Sequence, residues 1–255
     1  ITIPRSVVYD SKEYVIVSIH SGSFQRNHKI KAIQFPENSE IRLIESGAFS
    51  SSSLELLSLP SSIQKLASGW NSSLSLKFDL KISPNNQYFT YFNNQLLIGH
   101  SNSEDVENVT NQNFDTILFS RHIVEKIVIP SFIREIDSYS FSRCKKLKTI
   151  EFSDDSNLHL IGDHAFYQSS LKSAIIPKKV NCIGQYAFNE CISLKSIEFL
   201  CDEEIRFDYQ CLCFNHKLRL ISCPNSKAVF IDSLIGCLKN ISLFLVAGTD
   251  LKKLY

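Results

Sequence analysis

The chain contains no methionine, and its first residue is Ile1. It is therefore read as a processed chain or a fragment. No sign of charge dominates: 27 basic and 26 acidic residues leave a formal charge of +1. That balance supplies no electrostatic footprint for nucleic acid or an anionic membrane surface. Long apolar runs are missing too. The most apolar late stretch, residues 234–247, carries Lys239 and Asn240. It is also shorter than the roughly 20 residues that span a bilayer. No signal peptide is visible, though a fragment could have lost one. Common catalytic signatures are absent: no glycine-rich phosphate loop, no G-x-S-x-G and no H-E-x-x-H. The seven histidines are scattered, and His164 reads as polar filler of an outer turn. Asp154-Asp155 and Glu203-Glu204 fall in expected turns, where solvent would cover them. No catalytic residue, cofactor or metal is expected.

What is present is a repeated phrase. It reads Ile136-x-x-x-x-Phe141 then Leu147, Ile161-x-x-x-x-Phe166 then Leu171, and Ile183-x-x-x-x-Phe188 then Leu194. Between these lie strand-like runs: Leu147-x-x-Ile150-x-Phe152, Leu171-x-x-Ala174-x-Ile176-Pro177 and Leu194-x-x-Ile197-x-Phe199. The strand starts Leu147, Leu171 and Leu194 are 24 and 23 residues apart. A fixed period in the twenties with this leucine grammar predicts a leucine-rich-repeat solenoid. Weaker copies start at Ile30, Leu54, Val124, Leu218 and Leu238, and one more lies near Lys77, where Trp70 replaces the expected phenylalanine. Residues alternate faces along a strand, so the fourth and sixth positions point inward. The proline that often follows ends the pairing. The expected fold is one curved right-handed coil with a concave parallel sheet, short convex turns and helical segments, and an N-terminal hairpin cap. It forms a single domain, 1–255. Its parts are a cap (1–29), repeats (30–82), an insertion with a hairpin (83–122), repeats (123–243) and a C-terminal end (244–255).

The phrase is similar to the BspA-like, or Treponema-type, leucine-rich repeats. Ile183-Gly184-Gln185-Tyr186-Ala187-Phe188-Asn189-Glu190-Cys191 carries it throughout. Ile161-Gly162-Asp163-His164-Ala165-Phe166 carries it without the cysteine. Ile3-Pro4, Val7-x-Tyr9 and Tyr14-x-Ile16 resemble that family's first hairpin, and residues 82–88 resemble its common hairpin insertion. The resemblance implies surface proteins and adhesins of anaerobic bacteria and parasitic protists. A cell-surface or secreted protein-binding module, adhesin-like or a surface antigen, is therefore the expected role. An intracellular scaffold or cytoskeleton-associated repeat protein is the alternative, favoured by thiols read as free.

The thiol reading rests on spacing. Cys144 and Cys191 hold the same place two repeats apart, with Ser169 between them. Two strand spacings separate them by about 10 Å, beyond the roughly 7 Å that a disulfide can bridge. Cys144, Cys182 and Cys191 are expected unbridged and buried, as small hydrophobes. A Cys201–Cys223 bridge across adjacent turns stays open. Cys211, Cys213, His216 and Cys223 include zinc-ligand types, but not in paired C-x-x-C units. Three sequons, at Asn71, Asn108 and Asn240, are weak signs of secretion in a chain rich in Asn and Ser.

A solenoid's extended surface is its concave sheet. The candidate protein-binding residues flank the fourth strand position: Lys126 and Val128, Thr149 and Glu151, Ser173 and Ile175, Ser196 and Glu198. These positions lack a basic stripe for nucleic acid and an aromatic ladder for sugars. They suit a protein partner, with no nucleic acid and no membrane insertion. The second candidate is the insertion, with Tyr88, Phe89, Tyr91 and Phe92 in one short run. The competing reading packs those rings under the insertion itself.

Overall fold

The computed structural model describes residues 1–100, 114–200, 205–208, 210–222, 244–247 and 250–253. The chain separates into two compact units, Ile1–Arg121 and His122–Tyr255. Each contains solenoid rungs whose parallel strands stack in two ladders, and the first unit also carries a separate N-terminal hairpin and an antiparallel insertion.

In the second unit the long strands are Lys126–Ile129, Thr149–Phe152, Ser173–Ile176, Ser196–Phe199, Leu220–Ser222 and Phe244–Ala247, stacked in chain order. Asp250–Lys253 closes that sheet as an antiparallel partner of Phe244–Ala247. The strands starting at Leu147, Leu171 and Leu194 are thus neighbouring rungs, as the repeat requires. The rung expected from Leu238 falls outside the described residues; Phe244 is the residue that stands opposite Leu220. The short strands are Glu135–Ile136, Leu160–Ile161, Cys182–Ile183 and Arg206–Phe207. The predicted inward residues Ile127, Ile150, Ala174 and Ile197 are buried, and so are Ile136, Ile161 and Ile183 from the short strands.

The expected helical segments do not form: no helix occurs among the described residues. The outer turns run instead as a second hydrogen-bonded ladder between rungs. Alternate amides point to the next rung: Phe141 N donates to Ala165 O at 2.8 Å, Arg143 N to Tyr167 O at 2.7 Å, and Phe166 N to Ala187 O at 2.7 Å. A helix would need those amides for its own carbonyls four residues back. The alternation requires left-handed residues, and Tyr139, His164 and Tyr186 have φ of 62°, 55° and 55°. The corresponding places in the first unit are Gly22, Gly47 and Gly69. An L side chain there costs about 1–2 kcal/mol, which the ladder bonds and ring contacts offset. Phe141, Phe166 and Phe188 stack beneath the turns with centroids 4.9 Å apart at each step.

Gly162 and Gly184 answer a different demand. A Cβ on Gly162 would lie 2.8 Å from Ser138 N, and one on Gly184 would lie 2.7 Å from Asp163 N. The rungs approach here too closely for a side chain. Asp137 fills the same place in the first such turn.

The first unit opens with a hairpin, Ser6–Tyr9 against Lys12–Val15, turning through Asp10 and Ser11 at positive φ. The strands Ala32–Ile33, Leu56–Leu59 and Asp79–Ile82 follow in parallel, the first of them only two residues long. The insertion contributes an antiparallel sheet of Thr90–Phe92, Leu96–Gly99 and Thr116–Ser120. Trp70 explains why the phenylalanine is replaced there. Its ring is fully buried and meets Phe78 at 6.2 Å and the insertion's Phe119 at 6.4 Å. The larger ring anchors the insertion to the core.

Candidate functional site

The eight candidate residues form two columns on the outer face of the second unit's long sheet. Lys126, Thr149, Ser173 and Ser196 stand opposite one another from rung to rung. In the second column Val128 pairs with Glu151, and Ile175 with Glu198. Lys126, Val128, Glu151, Ser173 and Ile175 are exposed; Thr149, Ser196 and Glu198 are half-buried. Val128 and Ile175 are each 51% exposed. Lys126 Nζ lies 2.7 Å from Glu151 Oε1, so the one cation of these columns is paired across one rung step, and Glu198 is their remaining charge.

The sheet is not uniform. Four residue pairs join Lys126–Ile129 to Thr149–Phe152, and four join Ser173–Ile176 to Ser196–Phe199. Between them only Thr149 and Ser173 pair. The two central strands splay beyond that point. Phe152 is accordingly half-buried, whereas its counterparts Ile129, Ile176 and Phe199 are buried. A groove of about 510 Å³ opens where the strands part. Ile150, Phe152, Ile175 and Leu200 are apolar residues of its lining. Glu151 and the Asp154-Asp155 turn line one side, and Lys178 and Lys179 the other. The volume falls within the range of ligand-binding clefts.

The turns beside the groove differ in length. Pro130-Ser131-Phe132 and Pro177-Lys178-Lys179 each lead in three residues to the next buried aliphatic, Ile133 or Val180. Ser153 to Asn157 take five residues to reach Leu158 and include no proline. Sequence reasoning placed Glu151 and Ile175 on the sheet face and Asp154-Asp155 in a solvated turn. It did not bring them into one groove.

The insertion's rings are not a free surface. Phe89 is buried, and Tyr88 and Tyr91 pack against the first unit's core. Tyr91 donates its hydroxyl to Leu80 O at 2.7 Å, and Arg121 lies over its ring at 4.7 Å. Burial pushes the Tyr91 phenol up to about 12, against the opposing hydrogen bond from Arg121. These rings serve the attachment of the insertion.

None of the described cysteines, Cys144, Cys182, Cys191, Cys211 and Cys213, takes part in a disulfide. All are buried except Cys182, which is intermediate, so the expectation of burial holds for Cys144 and Cys191 and only partly for Cys182. Cys201 and Cys223 lie outside the described residues, and the bridge left open between them lies there too. Burial pushes the Cys191 thiol up to about 11. Burial also raises Cys182, although Arg206 Nη2 sits 2.9 Å from its sulfur. Neither is poised as a thiolate nucleophile at neutral pH. Cys211 and Cys213 are buried while His216 is exposed. Among the described residues no three His, Cys, Asp or Glu side chains converge as a metal site would need. The Asn71 sequon is buried at 6% exposure, closed to a glycan in the folded chain; Asn108 and Asn240 lie outside the described residues. No helix among the described residues is long and apolar enough to cross a membrane.

Comparison with known proteins agrees with this geometry. A family described as BspA type leucine-rich repeat region matches residues 10–117 and 112–235, in six copies. The chain is similar in fold to the pneumococcal vaccine antigen PcpA, with 19% identity and a TM-score of 0.65. The likeness covers 98% of this chain and 67% of that one. It is similar to a leucine-rich repeat protein of Eubacterium ventriosum at 18% identity and TM-score 0.62, covering 91% and 70% of the two chains. A leucine-rich cell surface protein of Faecalibacterium prausnitzii matches at 16% identity and TM-score 0.59, over 91% and 62%. No curated protein sequence matches the chain.

Proposed function

The chain belongs to the BspA-type leucine-rich-repeat family, and on that premise we propose that it is a non-catalytic protein-binding module displayed at the cell surface, adhesin-like or a surface antigen. The observation that carries the binding half is the groove beside Glu151 and Ile175, where the long sheet parts. Its apolar floor and oppositely charged sides suit an extended peptide segment with an aliphatic or aromatic anchor. The anchor supplies affinity by burial, and the charges set orientation. The raised Cys182 and Cys191 thiols support a role without covalent catalysis. The surface half rests on fold neighbours described as a vaccine antigen and a cell surface protein. The second reading, an intracellular scaffold, is favoured by five described cysteines without a disulfide, because oxidising compartments favour bridging.

Two measurements test these halves separately. Panning a library of linear peptides on the folded chain should select sequences with an apolar centre, and their binding should be lost in Ile175→Arg. Reversing Lys126 and Glu151 together, to Glu and Lys, should weaken the same peptides while leaving thermal unfolding nearly unchanged, because both side chains are solvated. Peptides that bind both variants as tightly as the parent chain would refute the groove. Antibody staining of intact, unpermeabilised source cells decides the location; staining only after permeabilisation would favour the scaffold.

A further inference from the structure

The long sheet of the second unit has a cationic leading edge, one residue ahead of the columns described above. Lys148, Lys172, Lys195 and Arg219 each follow the buried leucine that opens a rung, and all four are exposed. Backbone bonds stack them directly. Lys172 N donates to Lys148 O at 3.1 Å, Lys195 N to Lys172 O at 2.8 Å, and Arg219 N to Lys195 O at 2.9 Å. At the strand spacing of about 4.8 Å, the four backbone origins lie on a line roughly 14 Å long. Lys145, Lys146 and Lys217, also exposed, precede the same leucines. Glu125 pairs with Lys148 at 2.8 Å and closes the row at its first rung. The Lys148 hydrogen bond and charge hold the Glu125 carboxyl below its usual range. Among the described residues, Lys172 and Lys195 have no carboxylate partner.

We propose that this edge binds a linear sulfated polysaccharide. Like charges held at one rung spacing repel, and a chain bearing repeated anions relieves that repulsion while releasing its own counterions. The next column, Thr149, Ser173 and Ser196, sets hydroxyls beside the cations, which suits a polyhydroxyl chain. Three of the four cations are lysines, compact charges on flexible stems that follow anions of irregular spacing; planar bidentate recognition would call for arginine. Single-stranded nucleic acid fits less well, because such binding combines the cationic track with aromatic stacking platforms. Among the described residues the exposed rings by this edge, Phe214 and His216, sit at its last rung alone and make no stacking track along the row; Tyr139, His164 and Tyr186 stack on one another in the outer turns. An extended acidic peptide presents same-face charges about 6.6 Å apart and falls out of step with the rungs within a few residues. This edge is separate from the groove, which lies at the other end of the same strands.

Heparin, in solution and immobilised, is the probe. The chain should be retained on it at physiological salt, with the logarithm of the association constant falling linearly against log salt, at a slope reflecting about three to four contacts. The double variant Lys172→Glu/Lys195→Glu should lose about tenfold or more in affinity, since two contacts vanish and two repulsions appear. Lys172→Gln/Lys195→Gln, a milder change, should show a smaller loss. Circular dichroism should find both variants folded. Lys178→Glu/Lys179→Glu, at the groove, should bind heparin as the parent does. The proposal is overturned if heparin is not retained, if the edge variants bind as the parent does, or if the groove variant loses as much. It is equally overturned if polyuridylate or polyglutamate competes as well as heparin at equal charge. Peptide binding in the groove is indifferent to all of these outcomes.

Discussion

Replacing Gly184 by alanine should destabilise the solenoid more than replacing Gly47, although Gly47 is the one with positive φ. Gly47 has φ of 67°, and a Cβ there meets nothing nearer than 3.9 Å. Its substitution incurs only the left-handed penalty of about 1–2 kcal/mol. Gly184 lies outside the left-handed range, but its Cβ would sit 2.7 Å from Asp163 N and 2.9 Å from Gly162 C. Both are backbone atoms of the neighbouring rung and cannot rotate away. Relief requires that the two rungs separate. That strains the Gly184 N to Ile161 O and His164 N to Gln185 O bonds, each 2.8 Å, and the 2.8 Å bond from Gln185 N to Asp163 Oδ1. Overpacking of this kind costs about 1–3 kcal/mol, and one weakened hydrogen bond adds about 1 kcal/mol. The expected loss is therefore about 2–4 kcal/mol for Gly184→Ala. Urea unfolding followed by far-ultraviolet circular dichroism measures both variants. If Gly184→Ala unfolds at the parent's urea concentration, or Gly47→Ala is the weaker of the two, rung approach is not what requires glycine at this place.

Two further outcomes are expected. In the native chain a thiol reagent should modify Cys182 before Cys144 or Cys191, because only Cys182 reaches solvent among them; mass spectrometry that finds Cys191 modified as quickly would contradict the burial argument. His164 stacks on Tyr139 at 4.6 Å, and burial holds its imidazole below the usual range while Asp163 opposes that shift. A depressed folded value means that the unfolded chain binds the proton first, so the contribution is complete above about pH 6.5 and lost as pH falls below it. The thermal midpoint should therefore drop less between pH 7.5 and pH 5 in His164→Asn than in the parent, and equal slopes would dismiss His164 as the source.

The rungs were legible because burial obeys a short period. Ile150, Ile197 and Phe166 are apolar for reasons that three or four sequence neighbours display. The outer turns were misread as partly helical because hydrogen-bond direction is not written locally. Tyr139, His164 and Tyr186 carry no mark of left-handed backbone, and only the next rung supplies their acceptors. The groove escaped for a related reason. It lies where pairing between two strands stops after one residue pair, and neither strand is unusual alone. The cationic edge was visible as the dipeptides Leu147-Lys148, Leu171-Lys172, Leu194-Lys195 and Leu218-Arg219. Alternation assigns faces only within the strand, and these cations stand one place ahead of it.

Both ladders of the second unit, sheet and turn, point their hydrogen bonds from rung to rung. Tension drawn along that direction therefore opens bonds in sequence. Each rung that peels away pays out about 24 residues of chain, roughly 80 Å at full extension, before the next is strained. A force across the strands instead meets many bonds sheared at once. Under a pulling tether such a unit lengthens in steps, and peeling through these rungs parts the stacked rings of Phe141, Phe166 and Phe188 one contact at a time. A chain of this kind can absorb a jolt between two attachment points instead of transmitting it.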